Sequence, residues 1–170
     1  MAKGSALRYR SAADMPPSLR SRVEGQTKAP AAAPPRAPKA PRLDAEHHEQ
    51  VDFISRIRAL AANDERYALA AKRTFAIPNG GGRSKREAGR LKAEGVTPGV
   101  SDLFCSVARG GHHGLYIEMK SLTGKASGDQ LDWIAESNEE GYAALVCWGA
   151  DQAFRAWTAY VDGRDPWEAA

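Results

Sequence analysis

Two short segments, SDLFCSV (101–107) and GLYIEMK (114–120), flank the glycine-bearing stretch ARGGHH, and this arrangement constrains the fold more than any other feature of the chain. Each segment alternates apolar with polar residues, the period of a β-strand. Leu103, Cys105 and Val107 are apolar at odd positions, and so are Leu115, Ile117 and Met119. An antiparallel hairpin that sets odd opposite odd joins both apolar sets on one face. The other face then carries Asp102, Glu118 and Lys120. A turn centred near residue 111 puts Asp102 about opposite Lys120, so that two carboxylates and one ammonium share one end of the hairpin. Taken alone, Glu-x-Lys is also what an amphipathic strand with its polar face in water would show.

The rest of the chain supplies helices to pack on such a sheet. DAEHHEQVDFISRIRALAA predicts a first helix with Asp44 as N-cap and an apolar stripe of Phe53, Ile54, Ile57, Leu60 and Ala61. Glu46 and Gln50 lie on the line of that stripe, and Glu49 falls toward its edge. RTFAIPN reads as a strand ending at Pro78, followed by the glycine loop NGGGR. SKREAGRLKAEG predicts a helix opened by a Ser84–Glu87 capping box and closed by Gly95. SGDQLDWIAESNEEG predicts another, with Ser127 and Gln130 as capping box and Gly141 as its stop. YAALVCW reads as a buried strand, and ADQAFRAWTAY as a final helix capped by Asp151. The expected order is α-β-α-β-β-α-β-α, an α/β chain with a small mixed sheet flanked by helices.

A different regime holds before Leu43. The segment QTKAPAAAPPRAPKAPR (26–42) has no apolar periodicity and cannot bury enough surface to offset its ordering entropy. Residues 1–43 hold nine Lys/Arg against two Asp/Glu, whereas the remainder holds 15 against 19, so a net charge of +3 conceals a basic arm on an acidic body. Residues 1–43 are therefore expected to be an extended basic arm, 44–162 the folded domain and 163–170 a tail. Such an arm either adds attraction to phosphates or serves as a solubilising tail.

Composition excludes several classes. With 170 residues, 42% of them hydrophobic, the chain is long enough for one domain with its own core. No apolar run reaches the length of a membrane span, and the N-terminus lacks the apolar region of a secretory signal, so a cytoplasmic protein with no membrane partner is expected. Cys105 and Cys147 sit in apolar runs and read as buried thiols in a reducing compartment. The doublets His47-His48 and His112-His113 lack convincing metal-ligand spacing and read as surface or turn residues.

The hairpin's polar end suggests chemistry. Two carboxylates on adjacent strands can hold a hard divalent cation such as Mg²⁺ through oxygen, and a neighbouring lysine can orient a water or balance phosphate charge. That combination suits phosphodiester hydrolysis, and a structural salt-bridge cluster is the alternative. Arg83, Lys85, Arg86, Arg90 and Lys92 give the glycine loop and its helix a strong positive bias. This points to phosphate partners, with a solvated charged face as the simpler reading.

Asp102 followed sixteen residues later by Glu118-x-Lys120 resembles the PD-(D/E)XK nuclease superfamily. PNGGGRSKREAGRLKAEGVTPGVSDLF, GLYIEMKS, the Gln130 helix and GYAALVCWG are together similar to the VRR-NUC family, the virus-type replication-repair nuclease domain, over about residues 44–160. The resemblance implies a restriction-endonuclease-like core. It implies Glu46 as a first-helix acid completing the metal site, with Glu49 as its rival. It also implies Asp102 and Glu118 as the central acids, Lys120 as the catalytic lysine, the Met119 backbone carbonyl as a further metal donor, and Gln130 bordering the site. Ser101 stands where the family usually has proline. The implied activity is that of a Mg²⁺-dependent DNA endonuclease, with Mn²⁺ substituting, acting as a homodimer on branched DNA in replication, recombination or repair. Cleavage of flap, nicked or simple duplex DNA, a DNA-binding module without cleavage, and a protein-interaction domain are the alternatives.

Overall fold

The computed structural model of the protein describes residues 42–78, 89–91 and 93–170, with side chains from Ala45 onward. The basic arm as far as residue 41 lies outside the described residues, as do Arg83, Lys85, Arg86, Lys92 and the Ser84–Glu87 capping box.

The chain runs through α1 (Arg42–Asn63), a 3-10 turn, α2 (Ala68–Lys72), β1 (Thr74–Ala76), β2 (Leu103–Cys105), β3 (Leu115–Lys120), α3 (Gly128–Glu139), β4 (Ala143–Trp148), α4 (Ala150–Val161) and α5 (Pro166–Ala169). A helical turn at 89–91 precedes β2, and Gly95 ends it at φ 94 with the Val96 N–H donating to the Leu91 carbonyl. The four strands form one mixed sheet in the order β1-β2-β3-β4, antiparallel until β3 and β4, which run parallel. The parallel step requires the crossover that α3 makes. The expected α/β architecture, a mixed sheet flanked by helices, is what the chain adopts.

Both faces of the sheet are packed. Leu103, Cys105, Leu115, Ile117, Met119, Leu145 and Cys147 face α1 and α4, where Phe53, Ile57 and Trp157 complete the larger core. Ile54, Leu60 and Ala61 lie partly buried along the same side of α1, so the predicted stripe is the packed one. On the other face, Ala144, Val146 and Trp148 of β4 pack with Ile134 of α3. The polar face of the hairpin is therefore not turned to water at its active end: Glu118 is fully buried.

The hairpin keeps the expected parity but not the expected offset. Leu103 pairs with Ile117 and Cys105 with Leu115, which carries Asp102 opposite Glu118 rather than Lys120. The cause lies in the turn. Arg109 and His112 bond reciprocally around Gly110 (φ 57) and Gly111 (φ 84), the two positive φ angles a two-residue type I′ turn demands. Between that turn and the ladder, residues 106–108 on one side oppose only 113 and 114 on the other. The extra residue shifts the pairing.

Two caps also differ from expectation. α1 begins at Arg42, so Asp44 stands inside its first turn rather than before it. α4 has Gly149 (φ 84) at its N-cap, and Asp151, two residues too late to cap, instead pairs with Arg56 of α1 at 2.5 Å. Residues 163–170, expected as a tail, include α5. Asp165 caps it, Pro166 is buried, and the Trp167 indole donates to the Ala144 carbonyl. Among the described residues, no helix is long and apolar enough to cross a membrane.

Candidate active site

Glu118 is the centre of the site. Strand alternation turns it away from the larger core, and α3 closes over it. Its Oε1 accepts from the Lys120 ammonium at 2.5 Å and from the Gln130 side-chain amide. Its Oε2 is buried and has no hydrogen-bond partner. Burial first, then the nearby charge of Asp102, pushes its carboxyl up to about 8, against the opposing pull of Lys120.

Asp102 arrives from the residue before β2. Its Oδ2 accepts the Met119 N–H at 2.9 Å, closing the ladder just beyond the last β2–β3 pair. The hairpin register sets it opposite Glu118, whose carboxyl its charge helps to raise. Two carboxylates this close repel when both are charged, so the arrangement calls for a shared proton or a cation.

Lys120 is 6% exposed and donates to the Met119 carbonyl at 3.0 Å as well as to Glu118. Burial works against its charge, but Glu118, Glu46 and Asp102 outweigh that and hold its pKa above the ordinary lysine value. Gln130 is fixed by the helix start it caps: its Oε1 accepts the Ser127 N–H at 2.8 Å, which aims its amide at Glu118. The predicted capping box is present, and it doubles as a clamp on the buried acid.

The first-helix acids divide. Glu49 bridges to α4, accepting the Ala150 N–H at 2.8 Å, and so supplies the cap that Asp151 was expected to provide. Glu46 lies toward the site, where its charge acts on Lys120 and its Oε1 comes within 3.1 Å of where a Cβ on Gly124 would sit. Among the described residues, no three His, Cys, Asp or Glu side chains gather as a metal-binding group. The structure thus brings together Asp102, Glu118, Lys120, Gln130 and the Met119 carbonyl, with Glu46 standing off. Arg90 lies exposed on the surface, in an i,i+4 pair with Glu94 at 3.3 Å. Gly124 was missed in the sequence; its spacing from the strand gave no sign that the bare backbone leaves room for Glu46. Ser101, at the position expected to differ from the family, is fully buried with its hydroxyl unpartnered.

The donor set suits a hard divalent cation. The buried Glu118 Oε2 has no hydrogen-bond partner, and a cation beside it would favour the ionised carboxylate that burial opposes, with Asp102 and the Met119 carbonyl adding oxygen donors nearby.

Residues 71–151 match the model of the VRR-NUC domain. A solved structure described as a VRR_NUC domain protein superposes with a TM-score of 0.58 at 24% identity, covering 75% of this chain and 94% of the other. At that identity the likeness speaks to the fold. Comparison with curated proteins finds no match.

Proposed function

We propose that the protein is a metal-dependent DNA endonuclease that hydrolyses phosphodiester bonds in a structure-selective way, on branched DNA met in replication, recombination or repair. One observation carries the reading: a fully buried glutamate with one oxygen unpartnered, against a second carboxylate and a lysine. Asp102, Glu118 and the Met119 carbonyl would hold the Mg²⁺ or Mn²⁺ ion, with Glu46 completing its surroundings. The ion would supply Lewis-acid polarisation of a phosphoryl oxygen and ready ionisation of water. Lys120 places a fixed positive charge beside the acids, where it balances charge on the attacked phosphate or holds the incoming water. Gln130 keeps the Glu118 carboxylate from turning, so its free oxygen stays directed at the site. Arg83, Lys85, Arg86, Arg90 and Lys92 would position the DNA backbone without reading sequence. A homodimer would bring two such sites to one branched substrate.

The test is cleavage of matched four-way junction, flap, duplex and single-stranded DNA with Mg²⁺, Mn²⁺, Ca²⁺ or EDTA. Cutting with Mg²⁺ and Mn²⁺, binding without cutting in Ca²⁺, and silence in EDTA are expected. Undiminished cleavage in chelator would sink the metal mechanism. Equal cutting of junction, flap and plain duplex would remove the structural selectivity.

A further inference from the structure

Three of the four residues in one row of the sheet are aromatic, with Ala144 of β4 the fourth. Phe75 of β1 pairs with Phe104 of β2, and Phe104 pairs with Tyr116 of β3, so the three side chains stand on one face in consecutive strands. Phe104 and Tyr116 are stacked with ring centroids 4.4 Å apart, and Phe75 meets Phe104 edge-on at 5.8 Å. This is the face that also carries Asp102 and Glu118. Asp102 lies two residues from Phe104, and Glu118 two from Tyr116, so the aromatic row is the next row of the sheet, about 7 Å away by strand rise. α3 packs on the β4 side of this face, and Phe75 on edge strand β1 remains 49% exposed.

Cross-strand rings stabilise any sheet, and Phe104 with Tyr116 needs no other explanation. Phe75 does. A large exposed ring on an edge strand adds little to the core and invites unwanted pairing. Beside it, Lys72 and Arg73 are both exposed, and among the described residues neither is held in an ion pair. The Arg73 carbonyl accepts the Ser106 N–H, which sets Arg73 on the far side of the aromatic row from the acids. From the acids outward, the sheet therefore offers a site for a phosphate, then the exposed Phe75 ring backed by Phe104 and Tyr116, which Trp133 and Tyr142 flank, then cations.

We propose that the Phe75–Phe104–Tyr116 row, edged by Lys72 and Arg73, is a base-stacking subsite for unpaired nucleotides next to the scissile bond. The inference rests on the nuclease reading for the location of the bond and deepens it by naming the substrate class. The favoured substrate is DNA with bases freed from pairing beside the cut. Every base offers a π-face, so the subsite selects for unpaired structure and tolerates any sequence. In a fully paired duplex the bases are already stacked on each other and have no face to offer.

The test reads binding without cleavage, in EDTA, at physiological salt. Fluorescence anisotropy compares a plain duplex with the same duplex carrying a short unpaired segment, and 2-aminopurine in that segment reports stacking. The parent protein is expected to prefer the unpaired substrate and to quench the probe. Phe75→Ala should weaken that binding about tenfold, within the range of one base–aromatic stack, while duplex binding changes less than about twofold. Phe75→Leu should stay weak because it keeps apolarity without a ring, and Phe75→Trp should restore affinity and quenching. An equal loss on both substrates, or no loss on either, overturns the subsite. So does a Phe75→Ala variant that lowers the sedimentation mass and leaves the preference untouched, which would make the row a contact between copies of the chain. If no substrate is cut with any divalent ion but the preference and its loss remain, the catalytic reading fails and the subsite stands.

Discussion

Asp102 does two jobs, and the choice of substitution separates them. Its carboxylate faces Glu118, and its Oδ2 also takes the Met119 N–H beyond the end of the β2–β3 ladder. Asp102→Ala leaves that buried donor unsatisfied and should cost about 1–3 kcal/mol of unfolding free energy. Asp102→Asn keeps an acceptor and should unfold close to the parent midpoint in urea. Both should lose cleavage, because neither supplies the anionic oxygen. An Asn variant that still cuts would remove Asp102 from the ion's donors. Glu118 invites a second test. Its unpartnered oxygen predicts that Mg²⁺ or Mn²⁺ raises the melting temperature of the parent, since an ion bound only by the folded state stabilises it. Glu118→Gln should abolish that rise. A rise of the same size in the variant would place the ion elsewhere.

Elements, more than single residues, decide what the sequence made legible. Hairpin parity was readable because alternation has a period of two, so the core face of β2 and β3 follows from the order of apolar and polar residues. The offset was not, because it depends on where two glycines take positive φ and on one extra residue in 106–108. The Ser127–Gln130 box could be read as a cap, but its hold on Glu118 is a contact between elements distant in sequence. Burial of Glu118 was equally hidden: alternation predicts a solvated polar face, and only the crossover helix α3 overrides it. The aromatic row went unread because Phe75, Phe104 and Tyr116 sit in three separate strands and become neighbours only once the register is known. The acids of α1 show the same limit. Helical phase set Glu46 on the stripe and Glu49 at its edge, and the docking of α1 on α4 then gave Glu49 a capping task. Glu49→Ala should therefore cost about 1 kcal/mol, in the manner of a lost N-cap, and leave cleavage intact. Glu46→Gln should keep the unfolding midpoint and lose most activity. The reverse pattern in denaturation and cleavage assays would exchange their roles.

At the scale of the whole molecule, charge is segregated along the chain: nine Lys/Arg against two Asp/Glu in residues 1–43, and an acidic excess in the rest. Among the described residues, the buried residues of the larger core begin at Phe53. Deleting residues 1–41 should leave the melting temperature nearly unchanged. Binding is where the arm would matter. DNA affinity falls with salt because cations on the protein displace counterions from phosphates, by a slope of about 0.9 for each phosphate neutralised. An acidic body gains from a basic arm, since its own net charge opposes the approach of DNA at distances beyond about 8 Å only weakly at physiological salt but strongly below it. If the arm contacts DNA, deletion should make the plot of log affinity against log salt shallower by about 0.9 per lost contact, with the largest loss of affinity at low salt. The preference for one DNA structure over another should survive, because backbone contacts of this kind add affinity to every substrate alike. Anisotropy titrations from low to physiological salt measure both quantities. An unchanged slope would reduce the arm to a solubilising tail.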